Sequence, residues 1–151
     1  MQTVTSHGTL VAFMLAILTR VADPITDDAP KRAISAAVSE VVSRFTTLSP
    51  EVRGCAIIGP GALTGSSSGE DEGWIEAGRS LLEAADGAAG EPATHAHVAT
   101  EEGEVYAIRQ GDFAMVAVTD RFTLASLVFA DMRAALREAA RAAEPAAAQA
   151  V

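Results

Sequence analysis

The order of periodic segments limits this chain more than any single residue does. Between residues 29 and 143, hydrophobic positions recur with a helical period, then a strand period twice, then helical again, then strand three times, then helical. Strands joined by tight turns and interleaved with three amphipathic helices describe an α+β domain built on one sheet. A length of 151 residues suits a single domain with its own hydrophobic core. The domain is assigned to residues 29–143, after an apolar leader and linker (1–28) and before an Ala-rich tail (144–151) expected to fray.

The first helix, Lys31 to Leu48, is the clearest. Ile34, Ala37, Val38, Val41, Val42, Phe45 and Leu48 recur at three- and four-residue steps, and Ser49-Pro50 ends the run. Gly54–Ile58 and Ala62–Ser66 read as strands around the turn Gly59-Pro60-Gly61. Asp71 to Ala85 is a second helix with a stripe of Trp74, Ile75, Gly78, Leu81, Leu82 and Ala85, and a loop is expected from Asp86 to Ala93. Strands follow at Thr94–Thr100, Glu104–Arg109 and Phe113–Thr119. The last is apolar on both faces and so belongs at the sheet's centre. The final helix begins around Asp120–Thr123, with Leu124, Leu127, Val128, Met132, Ala135 and Ala139 expected inside.

Acidic residues outnumber basic ones by 20 to 11, for a formal net charge of −9. Nucleic-acid binding needs clustered Lys and Arg to displace counterions, so that class is excluded; anionic membrane surfaces are disfavoured by the same field. A basic patch on a protein partner would be attracted. The single Lys, the excess of Arg and the abundant Ala point to a GC-rich bacterial genome. Cys55 is the only cysteine, so no intramolecular disulfide can form. Within Cys55-Ala56-Ile57-Ile58 it reads as a small buried hydrophobe in a cytoplasmic protein. The apolar leader Thr9–Leu18 is shorter than the roughly 20 residues a membrane-spanning helix takes, so no stable membrane insertion is expected. Met1–Gly8 also lacks the positive charge of a secretory signal, which weighs against a signal peptide and favours a helix packed on its own domain or on a partner.

Candidate chemistry is sparse. Gly65-Ser66-Ser67-Ser68-Gly69 matches a nucleophile elbow in letters, with Ser67 as nucleophile and Asp86 and His95 or His97 as the only available partners. That motif belongs to larger parallel-sheet hydrolases, and a Ser-Gly turn before a helix is the simpler reading. No Lys follows the glycines at 59, 61 and 65, so a phosphate loop is excluded. His95-Ala96-His97 puts two imidazoles on one face of a strand, with Glu101, Glu102 or Glu104 able to add an oxygen. Two histidines do not define a metal site, so no cofactor and no catalytic residue is assigned, and the pair's affinity for metal stays open. Arg133, Arg137 and Arg141 read as a solvated helix face.

With these elements in place, the segment from Ala29 to Ala143 resembles the Roadblock/LC7 family, which includes the bacterial MglB-type proteins. The likeness rests on the first amphipathic helix, the run Val52-Arg53-Gly54-Cys55-Ala56-Ile57-Ile58, and above all the stretch from Tyr106 to Asp120, where a short polar turn separates two apolar strands. The chain departs from the family pattern at Gly59-Pro60-Gly61, where an Asp-Gly type turn is usual, and in its leader. The resemblance implies a five-stranded antiparallel sheet with one helix on one face and two on the other, a layout like that of profilin and longin domains. It also implies a homodimer in which the second core helix (Asp71–Ala85) meets its twin and the third strand (Thr94–Thr100) extends the sheet. Trp74, Ile75, Gly78, Arg79, Leu82, His95 and His97 are the interface residues so implied. Histidines at such a seam would make assembly sensitive to mild acid. The function implied is a non-enzymatic regulator or scaffold of a small Ras-like GTPase. The alternative is a stand-alone ligand- or signal-sensing module, which a deep pocket lined by His97, Tyr106 and Met115 would favour.

Overall fold

The computed structural model describes residues 29–149 apart from Leu63 and Glu70, so the apolar leader lies outside the described residues. The elements run α1 (Ala29–Leu48), β1 (Val52–Ile58), a 3₁₀ turn (Pro60–Ala62), β2 (Thr64–Ser66), α2 (Asp71–Ala89), β3 (His95–Ala99), β4 (Glu104–Gln110), β5 (Phe113–Thr119) and α3 (Ala125–Gln149). The sheet has five strands in the order β2-β1-β5-β4-β3, with every neighbouring pair antiparallel. β5 takes the central position that its two apolar faces require.

Alternation along the strands sorts the core into two layers. Cys55, Ile57, Tyr106, Ile108 and Met115 face α1 and α3, where Val38, Val42 and Phe45 meet Val128, Met132 and Leu136. Ala56, Val105, Ala107 and Val116 face α2, which contributes Trp74 and Leu82. Full burial of each large aliphatic side chain contributes on the order of 1.5–3 kcal/mol, so the thicker α1/α3 layer dominates stability. The α2 side is thin. A Cβ added to Gly78 would lie 2.8 Å from both Ile58 Cδ1 and Val116 Cγ2, so only glycine lets the helix approach this closely.

Several boundaries and one helix phase differ from the sequence reading. β2 begins at Thr64, after a 3₁₀ turn that includes Ala62, and α3 begins at Ala125, beyond the Asp120–Thr123 segment expected to start it. α2 continues past Asp86 and Gly87 and stops at Gly90, which has φ 75° and donates its N–H to Asp86 O at 2.9 Å. A glycine in the left-handed region closes a helix; one inside it only weakens it. Leu124 and Leu127, expected inside, are 68% and 52% exposed. The inward stripe of α3 is Ala125, Val128, Phe129, Met132, Leu136 and Ala139; that phase turns Leu127 outward, and Leu124 lies just before the helix begins. The segment from Glu144, expected to fray, is helical as far as Gln149, in keeping with the high helix propensity of alanine.

Candidate functional site

Ser67 is occupied structurally. Its Oγ accepts the Cys55 N–H at 3.0 Å, and its own N–H donates to Cys55 O at 2.9 Å, prolonging the β1–β2 pairing. Trp74 Nε1 donates to the next hydroxyl, Ser68 Oγ, at 3.0 Å. Asp86 is held on the α2 side of the sheet by Arg109, which donates to its two oxygens at 2.6 and 3.0 Å, while Asp86 Oδ1 also accepts the Ala93 N–H at 2.7 Å. The Arg109 hydrogen bond, backed by the Ala93 N–H, holds this carboxyl below the usual carboxylate range. The two histidines occupy the other face, in register with Ile108 and Tyr106, so no serine triad assembles.

A buried carboxylate that the sequence did not single out lies beneath those histidines. Glu104 opens β4 and is 7% exposed. Its Oε2 accepts the Tyr106 hydroxyl at 2.5 Å and the Thr123 hydroxyl at 3.2 Å, and lies 2.8 Å from His97 Nε2; its Oε1 accepts the Phe122 N–H at 2.7 Å. These bonds, Tyr106 foremost, hold its pKa down to about 2 against the opposing effect of burial. The Tyr106 hydroxyl is pushed up in turn, first by burial and then by its bond to Glu104. Phe122 adopts φ 64° in this arrangement, and the residue is 86% exposed with the Arg121 guanidinium 4.7 Å from its ring centroid.

Aromatic rings complete the cluster. His97 stacks on Tyr106 with centroids 4.3 Å apart, while Phe129 meets Tyr106 and His95 edge-on, each at 5.2 Å. Tyr106 and Met115 are fully buried, so the pocket that would favour a sensing module is filled by the protein's own rings. An open cleft lies elsewhere, between α1 and α3, lined by Val41, Phe45, Leu48 and Ala135 and bridged by the Arg44–Glu138 ion pair.

β3 forms one rim of the sheet, and its backbone shows which groups it leaves open. Arg109 donates its N–H to Thr94 O, and Thr100 donates its N–H to Gly103 O, both at 2.8 Å. Even-numbered positions therefore turn toward β4. Antiparallel alternation then turns the N–H and C=O of His95, His97 and Ala99 outward. The expected interface residues divide accordingly. Trp74, Gly78 and Leu82 are buried against their own sheet, because the one apolar stripe of α2 serves the protomer's core. Ile75 is half-buried, while Arg79, His95 and His97 are exposed.

No family model and no curated protein matches the sequence. Solved structures do match. A Roadblock/LC7 domain from Streptomyces avermitilis superposes with a TM-score of 0.53 at 10% identity, covering 66% of this chain and 91% of that one. The gliding protein MglB from Thermus thermophilus gives 0.54 at 18% identity, covering 82% and 99%. An MglB solved in a tetrameric arrangement gives 0.56 at 17% identity, covering 83% and 99%. With α2 alone on one face of the sheet and α1 and α3 on the other, the chain has the Roadblock/LC7 (MglB-like) fold.

Proposed function

We propose that this protein is a non-enzymatic homodimeric regulator or scaffold of a small Ras-like GTPase, acting in the bacterial cytoplasm. The observation that carries the reading is the open rim of β3 in a fold shared with MglB structures. An unpaired strand edge invites a further strand, and a second copy of the same edge satisfies it. The outward surface of α2, with Ile75 half-buried and Glu76, Arg79 and Glu83 exposed, would meet its twin in such a dimer. The dimer would position the GTPase's own switch regions without adding a catalytic group. A net charge of −9 suits a partner with a basic patch. No described helix is long and apolar enough to cross a membrane.

Sedimentation velocity and pull-down with small Ras-like GTPases of the same organism, loaded with GDP or a GTP analogue, test both parts. A dimer that retains the GTPase in one nucleotide state is expected. A dimer that retains it in neither state removes the GTPase reading, and a monomer at tens of micromolar removes the dimer.

A further inference from the structure

The paired histidines of β3 have a geometry that a solvated surface pair would not need. The Tyr106 and Thr123 hydroxyls and the Phe122 N–H all point at the Glu104 carboxyl, so His97 Nε2, 2.8 Å from Oε2, meets an acceptor there, and Nδ1 is the ring nitrogen left to offer a lone pair. A carboxylate fixing one imidazole nitrogen while the other stays basic is the usual support of a metal-ligating histidine. The stack on Tyr106 holds the ring plane as well. His95 projects from the same face two residues away, exposed, with Nδ1 3.2 Å from Thr94 Oγ1.

Among the described residues of one protomer, no group of three or more His, Cys, Asp or Glu is placed to hold a metal. A second copy changes the count. Two copies of one edge strand pair antiparallel only about a two-fold axis normal to the sheet, which leaves each side chain on its original face. Opposed residues then share parity, and the outward backbone of His95 and His97 makes them the hydrogen-bonded positions of such a pair. A register centred on Ala96 sets His95 against the partner's His97 and His97 against the partner's His95. One centred on His97 sets the two copies of that residue face to face, with His95 flanking on each side. In both registers the imidazoles gather on one face, beside the two copies of Glu104.

We infer that the dimer holds a divalent first-row transition ion, with Zn²⁺ as its natural probe, between the His95 and His97 imidazoles of the two copies. Neutral imidazole suits such ions, and nitrogen ligands converging from two strands can supply the tetrahedral set zinc prefers. The inference rests on the dimer proposed above. It goes beyond it in making the seam a metal site.

Chelator competition with Zn²⁺, run beside sedimentation of the full chain in EDTA and in zinc, tests it. The expected result is one zinc per two chains, with a Co²⁺-loaded sample showing visible bands of a nitrogen-rich site. H95A or H97A should lower affinity by about 100-fold or more, and E104Q by roughly 10- to 100-fold through loss of the supporting bond. Because H97A also removes a ring stacked in the fold, H95A, whose ring is exposed, serves as the second variant. A dimer in EDTA that takes up no zinc overturns the metal site and leaves the dimer standing. A monomer in both conditions overturns the dimer and the shared site together. One zinc per chain, unaffected by H95A, overturns the assignment to these histidines.

Discussion

At the level of single residues, Glu104 organises a cluster that ties three segments together. It joins β3, β4 and the turn before α3 through His97, Tyr106, Phe122 and Thr123. E104Q is expected to lower unfolding free energy by about 2 kcal/mol at pH 7, since hydrogen bonds to a charged group are worth about 1.5–3 kcal/mol. The folded carboxyl titrates near 2, below its ordinary value of 4.5. A depressed folded pKa stabilises fully above the unfolded value and loses that contribution as pH falls through the folded one. Urea midpoints of wild type and E104Q should therefore converge between about pH 4.5 and 2; a gap that stays constant would count against the ionised network. Phe122 offers the opposite sign. Its φ of 64° costs a non-glycine residue roughly 1–2 kcal/mol, while its exposed ring contributes little packing. F122G is expected to raise stability by about 1 kcal/mol in the same assay, and a loss would show that the ring packs more than its exposure implies. Neither feature was legible in the sequence. Glu104 stands in a row of glutamates, Glu101-Glu102-Gly103-Glu104, and only tertiary contact separates the buried one from the two exposed ones.

Among the elements, periodicity carried α1 and β5 well because their burial is decided by their own residues. Val38, Val41, Val42 and Phe45 all reach the core as the three- and four-residue spacing requires, while Leu48, the last of the expected stripe, is 74% exposed at the helix end. The phase of α3 was harder. Leu124 and Leu127 are apolar, yet the turn pinned by Phe122 and Thr123 on Glu104 fixes where the helix starts and leaves both exposed. α2 posed a different ambiguity, since one apolar stripe can face its own sheet or a twin. Gly78, with no room for a Cβ between Ile58 and Val116, settles it for the protomer's own sheet. A prediction belongs to β3. Proline is tolerated where a strand's N–H faces away from its neighbour, and Ala99 turns its N–H outward. If the proposed dimer pairs through this edge, A99P should keep the chain folded by circular dichroism and shift it from dimer to monomer by size exclusion. Retention of the dimer would place the seam elsewhere.

Across the whole molecule, the two layers enclose Cys55, whose thiol is pushed up to about 12 by burial. A thiol so protonated reacts only when the sheet opens. Labelling by a chromogenic thiol reagent at pH 8 should therefore proceed at the rate of global unfolding, and fast labelling of native protein would mean that β1 is exposed by local motion. The sequence by itself determined the succession of helices and strands and the central place of β5, because these follow from local periodicity. Only the tertiary structure decided which glutamate is buried, which face of α2 is spent on the core and which backbone groups of β3 stay open. Each of those depends on partners distant in sequence, and spacing along a chain does not encode which distant groups will meet.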